Sequence, residues 1–183
     1  MPHWTDSEFT DRDFRDEDLS GLQTERVVFT ECDFGGANLS ESVHLGSAFR
    51  NCRFQRTTLW HSTFRNCSML GSTFEDCRLR PMVCDEVDFT LAVLGGADLR
   101  GVDLSGCRLR ETSLVQTDLR KAILRGADLT GARTNGLRLE QADLRGARID
   151  ATLWTTAACR GALIDVAQGL AFAVAHGLDV SGQ

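Results

Sequence analysis

The sequence contains no tyrosine and only two prolines, and no apolar run in its 183 residues approaches the length of a membrane span. Its N-terminus, MPHWTDSEFT, is acidic and polar rather than basic and then apolar, so no secretory signal and a cytoplasmic location are expected. No CxxC pair occurs among the seven cysteines, and His3, His44, His61 and His176 show no ligand spacing. Neither a metal site nor a cofactor is expected. A glycine-rich phosphate loop is missing too, because the glycines recur every five residues instead of clustering. No pair of carboxylates stands out as catalytic, and an enzyme is not expected. The net charge of −6, from 26 acids and 20 bases, argues against direct binding of nucleic acid.

What is present is a period of five. Stepping by five from Trp4 meets Phe9, Phe14, Leu19, Phe29, Phe34, Leu39 and Phe49, and the same phase runs to Ile164. Of the 33 centres, 28 are large and apolar; Thr24, His44, Cys84, Thr134 and Cys159 are the exceptions. Two residues before each centre the side chain is usually small, as at Cys32, Ala37, Ser42, Ser47 and Cys52. The clearest units read ADLRG at 97–101 and 142–146.

On an α-helix each step of five turns the side chain by roughly 140°, which scatters the centres around the axis. On one continuous strand an odd step alternates faces, which sends half of them to water. A chain that turns a corner once per repeat keeps every centre inside. Gly96, Gly101, Gly106, Gly126, Gly131, Gly136, Gly146 and Gly161 all stand two residues after a centre, where such a corner falls. All seven cysteines lie at inward positions and read as small core filler.

Residues 20 apart resemble one another. Phe14, Phe34, Phe54 and Phe74 form one column, and Leu19, Leu39, Leu59 and Leu79 another. Four repeats per coil and a square cross-section follow, giving an all-β, right-handed quadrilateral β-helix of about eight coils over residues 1–165. The unbroken phase predicts that no loop interrupts the stack. The column Trp4, Thr24, His44, Phe64, Cys84 collects three of the irregular centres, which predicts one poorly packed or distorted face in the N-terminal half.

These units resemble the pentapeptide-repeat family over residues 4–165. The phase, the C-terminal segment and the acidic balance look most like its fluoroquinolone-resistance members from mycobacteria. That resemblance implies a homodimeric mimic of duplex DNA whose partner is DNA gyrase, a type II topoisomerase. The alternative is a non-catalytic interaction scaffold with some other partner.

Residues 166–183 leave the repeat and predict a short helix that caps the last coil. Asp165 and Gln168 match a capping box, and Gly177–Leu178 a C-terminal cap. Val166, Leu170, Phe172, Val174 and Leu178 are the expected dimer interface. Sorted by column, the faces of Trp4 and Phe9 (faces 1 and 2) each carry seven acids and four bases, the Phe14 face (face 3) is neutral, and the Leu19 face (face 4) has six acids and seven bases. Asp85, Glu86 and Asp88 span the edge shared by the two acidic faces. With Glu25, Glu31 and Asp103 they are the expected partner-binding residues, whereas Asp98 and Asp118 on the mixed face are expected to matter less.

Overall fold

The computed structural model describes residues 2–181. Met1 of the predicted 1–165 segment, and Gly182 and Gln183 of the 166–183 segment, lie outside the described residues. Three-residue strands form at His3–Thr5 (β1), Glu8–Thr10 (β2), Gln23–Glu25 (β3), Val28–Thr30 (β4), Val43–Leu45 (β5), Ala48–Arg50 (β6), Arg53–Gln55 (β7), Thr63–Arg65 (β8), Thr73–Glu75 (β9) and Val83–Asp85 (β10). Every pairing is parallel, and partners stand 20 residues apart, as in Trp4↔Thr24, Phe9↔Phe29 and Phe54↔Phe74. Beyond residue 85 the same register continues as single bridges, from Asp88↔Arg108 to Asp143↔Leu163. The chain is the right-handed quadrilateral β-helix that the period of five implies.

The corners account for the glycines. Each residue two after a centre, from Asp6 to Gly161, has a positive φ, save at 81, 151 and 156. From Phe89 to Leu144 each corner is closed by a bond from the N–H three residues after the centre to the centre's carbonyl, as in Ala97 to Leu94 (3.0 Å) and Ala127 to Leu124 (3.1 Å). A hydrogen-bonded turn with positive φ at its third residue is type II, which favours glycine there. At Gly36 a Cβ would also stand 2.1 Å from Asp16 Oδ1, so packing adds to the backbone requirement. The recurrent Asp before the centre steadies the same turn. Its carboxylate accepts the N–H two residues on, as in Asp98 to Arg100 (3.2 Å) and Asp128 to Thr130 (3.0 Å).

The core is a stack of identical shapes. Phe14, Phe34, Phe54 and Phe74 stack face to face with centroids 4.7–5.0 Å apart. Phe9, Phe29 and Phe49 do the same on the next side. Leucines replace them from Leu94 onward and are buried to Leu144.

Three expectations need correction. The column of Thr24 and His44 is tightly packed at those two centres, and its distortion is confined to the corner at Pro81, which lacks the positive φ, and to a small apolar gap beside Met82 and Cys84. It carries the longest ladder of the molecule, β1-β3-β5-β8-β10. His44 is fully buried, stacks on Phe64 at 4.7 Å, and is held by Thr24 Oγ1 at Nδ1 (2.7 Å) and Ser42 Oγ at Nε2 (2.9 Å). A polar pair thus fits because every polar atom finds a partner. Second, the stack is interrupted: Ala151–Thr156 forms a helix (α1) in place of the third side of the last coil, without altering the count of five. Third, two of the seven cysteines, Cys77 and Cys159, are only half-buried, and the last centre, Ile164, is exposed because no coil follows it.

The second helix, Val166–Ala175 (α2), closes the C-terminal end. Its capping box is complete, with Gln168 N donating to Asp165 Oδ1 (2.9 Å) and Asp165 N to Gln168 Oε1 (3.0 Å). It ends on Gly177 at φ 79°, with Leu178 N donating to Ala173 O and Gly177 N to Val174 O, both at 3.0 Å. That pair of bonds is the Schellman arrangement.

Candidate functional site

The outward side chains of the rod are where a partner can be met. At the corner between faces 1 and 2, Asp85 and Glu86 are exposed and Asp88 is half-buried. The left-handed corner at Glu86 (φ 51°) turns its side chain out between its two neighbours. Arg65 approaches Asp85 at 3.9 Å and Arg108 approaches Asp88 at 3.6 Å, whereas among the described residues no cation pairs with Glu86. Asp88 also accepts Thr90 N (2.9 Å), which fixes its carboxylate.

Beside these acids the corner is recessed. Gly46, Ala48, Ser68 and Gly106 in the flanking coils are small, and with Glu86, Asp88 and Arg108 they line an open cleft of ≈ 460 Å³. Asp103 belongs to the same neighbourhood. Burial pushes the Cys107 thiol beneath this corner up to about 11, and Asp103, Asp85 and Glu86 all act on it in the same direction. The cleft is thus bordered by the carboxylates of Glu86 and Asp88 and by Arg108, which is paired with Asp88, and is floored by small groups, which leaves Glu86 as the carboxylate free to meet a cationic side chain.

The remaining acids are dispersed. Glu25 and Glu31 belong to the second coil, three coils or about 14 Å from the corner. Arg26 pairs with Glu25 and with Asp6 (2.7 Å), so Glu25 is largely neutralised, while Glu31 stays exposed. Asp98 and Asp118 sit in an arginine network: Arg100 and Arg120 hydrogen-bond to them and hold both carboxyls below the ordinary carboxylate range.

The expected interface residues of the tail lie on α2 and just beyond it, with Val166, Leu170 and Val174 on one face and Phe172 on the side turned toward Trp154. Val166 is 83% exposed, and Leu170, Phe172, Val174 and Leu178 are exposed with it. Leu163, Ile164 and Val180 are exposed apolar residues near the same end of the chain. Period counting missed the first two, since one read as a strand position and the other as a core centre; the clue was that no further repeat follows them. Beneath α2, Trp154 packs edge-on against Phe172 (5.8 Å), and its buried indole N–H has no partner among the described residues. Among the described residues no group of three His, Cys, Asp or Glu side chains could hold a metal ion.

Comparison with known proteins follows the same lines. Two pentapeptide-repeat family descriptions match, one over residues 88–126 and 122–152 and the other over 29–73. The chain is 71% identical over 105 residues to the pentapeptide repeat protein MfpA of Mycobacterium tuberculosis, covering 57% of each chain. It is 73% identical over 59 residues to MfpA of Mycolicibacterium smegmatis, covering 32% of this chain and 31% of that one. The matched stretches therefore span little more than half and about a third of these relatives. Full-length QnrB1, described as a plasmid-mediated fluoroquinolone resistance protein, shares the fold at a TM-score of 0.51 and 17% identity, covering 96% of this chain and all of that one. Repeat, register and matched stretches agree: the chain belongs to the pentapeptide-repeat family.

Proposed function

We propose that the chain is a non-catalytic regulator of DNA gyrase that occupies a duplex-binding surface of the enzyme and thereby protects it from fluoroquinolones. The carrying observation is the acidic corner of Asp85, Glu86 and Asp88, where Glu86, without a cation among the described residues, stands between two acids beside an open cleft. The identity to MfpA and the names of the quinolone-resistance relatives point to the same enzyme. A protein acting on gyrase works in the cytoplasm; separately, among the described residues no helix is long and apolar enough to cross a membrane.

Magnitude shapes the mechanism. Duplex DNA carries one charge per ~1.7 Å. This chain has a net of only −6. The rod therefore engages a basic groove through a few placed carboxylates rather than through overall charge density, with Glu31 and Asp103 assisting and Glu25 contributing less. Two copies joined through the α2 surface would double the length presented, which makes a homodimer the working form.

Gyrase supercoiling measured with Asp85→Asn/Glu86→Gln/Asp88→Asn against Asp98→Asn/Asp118→Asn tests the proposal. The corner variant should lose about ten-fold or more of the inhibition, the face 4 variant little, and inhibition should weaken as salt rises. Equal inhibition by both variants and the unmodified protein would refute the acidic-corner mechanism. No effect of the unmodified protein would favour a scaffold with another partner.

A further inference from the structure

Face 4 carries a feature that the acidic corner does not use. The outward position after its centre holds Arg80, Arg100 and Arg120 in three successive coils. No other outward column of the rod holds three consecutive arginines. Beside them at a corner stands Lys121, the chain's single lysine among its 20 basic residues.

The arginines are held in place from below. Arg100 donates through Nε and Nη2 to the two oxygens of Asp98 (both 2.8 Å), and Arg120 likewise to Asp118 (2.9 and 2.7 Å). Arg80 donates to Asp98 (2.9 Å) and to the Arg100 carbonyl (3.0 Å). These forks leave Nη1 of Arg100 and of Arg120 without a partner among the described residues, and Lys121 makes no ion pair there. Four cations with Gly101, Glu140 and Gln141 line an open groove of ≈ 520 Å³. A Cβ at Gly101 would meet nothing within 4 Å, so the groove is open at that point.

Ion pairs that stay this open to water contribute little to stability, so the fold gains less from this ladder than from the core beneath it. Its effect is to present guanidinium edges already fixed in orientation, at one per coil or ~4.8 Å. Carboxylates one turn apart on a helix have Cβ atoms roughly 5–6 Å apart and match that spacing. A nucleic-acid backbone fits less well. The cationic stretch is only three coils long, and its neighbour, face 1, carries a net of −3 and includes Asp103 and Asp85.

We infer that the Arg80–Arg100–Arg120 ladder with Lys121 is a second docking surface, for an acidic helical segment of a partner protein that presents carboxylates on one face. It is distinct from the acidic corner and does not depend on gyrase being the partner there.

The probe is an alanine-based helical peptide of about four turns with glutamate at every fourth position, compared with the same peptide carrying glutamine. Binding to the full chain is followed by amide chemical-shift titration. The glutamate peptide should shift residues of faces 4 and 1 around Gly101 and weaken with salt; the glutamine peptide should bind at least about ten-fold more weakly. Arg80→Gln/Arg100→Gln/Arg120→Gln should lose about ten-fold in affinity, whereas Arg125→Gln/Arg145→Gln/Arg148→Gln on the other faces should not. Circular dichroism checks that each variant is folded, and Lys121→Gln alone, which touches no Asp fork, should still weaken binding several-fold. Equal binding of the two peptides, equal loss in the control triple variant, or no shift at about 1 mM peptide would overturn the inference. A short DNA duplex that binds the same arginines more tightly than the peptide would also overturn it.

Discussion

The side-chain amide of Gln168 donates to the Ala147 carbonyl at 2.9 Å. In every earlier coil of face 2, the carbonyl at this position accepts a backbone N–H from 21 residues on, as Ala127 does from Arg148 and Cys107 from Asp128. Residue 168 stands 21 after 147, so the place is filled in register but by a side chain. Two aspartates do the converse. Gly146 N donates to Asp165 Oδ2 (2.9 Å) and Gly131 N to Asp150 Oδ2 (2.6 Å), where earlier corners use a backbone carbonyl 19 residues on. The last coil is thus completed by imitation of the coil that is absent.

It follows that Gln168→Leu should destabilise the protein although it adds apolar bulk. The Leu144 carbonyl keeps its corner bond from Ala147 N, but the Ala147 carbonyl loses its donor, and an orphaned buried group costs about 1–3 kcal/mol. Thermal unfolding should begin several degrees lower. An unchanged melting curve would mean that water replaces the amide at no cost.

His44 makes stability depend on pH. Burial pulls its pKa down to about 3 from the ordinary 6.5, so the unfolded chain takes the proton more readily. Its contribution is complete above 6.5 and is lost as pH falls toward 3, by about 2 kcal/mol at pH 5. Asp98 and Asp118 act lower: their folded-state pKa values are depressed, so their contribution is present above 3.8 and lost below it. The window from 6.5 to about 4.5 therefore isolates the histidine. Melting temperature should fall across it, and a Thr24→Val/His44→Phe variant, which keeps the stack on Phe64, should show a flatter profile. A slope that survives the double substitution would place the effect elsewhere.

The thiols should behave as filler. Burial pushes Cys52 up to about 12 and Cys67 and Cys107 up to about 11, which suppresses the reactive thiolate. A thiol reagent at mildly alkaline pH should label half-buried Cys77 and Cys159 first and the other five only on unfolding. Rapid native labelling of Cys52 or Cys107 would contradict the packed core.

Assembly should rest on α2. Leu170→Glu places a charge on the exposed face that carries Val166 and Val174 while leaving the capping box intact. Sedimentation at micromolar concentration should change from dimer to monomer with circular dichroism retained. An unmodified protein that sediments as a monomer would remove the dimer.

Much of this architecture was legible from spacing alone, because a coil of 20 residues places like on like and Phe14, Phe34 and Phe54 announce it. Spacing counts residues but is blind to dihedral angles, and α1 escaped it for that reason. The stretch ATLWTT keeps Trp154 on the fifth-residue phase and buries it, yet covers the side as a helix rising about 1.5 Å per residue. The missing glycine and aspartate of that repeat were the available sign. His44 was placed correctly as a core histidine by its position, but its two hydroxyl partners come from different coils and appear only in three dimensions. For the acidic corner, the sequence places Asp85, Glu86 and Asp88 on one edge; that Glu86 alone lacks a cation depends on where Arg65 and Arg108 reach.

The coil register also sets a graduation. Marks along the rod recur every ~4.8 Å, whereas base pairs of a duplex recur every ~3.4 Å. Laid side by side the two scales behave as a vernier, coinciding only after about five coils and seven base pairs, or ~24 Å. If the proposed function holds, a groove ruled for phosphates would meet the rod's charges in step only at isolated points, and a few well-placed carboxylates there would outweigh many between them.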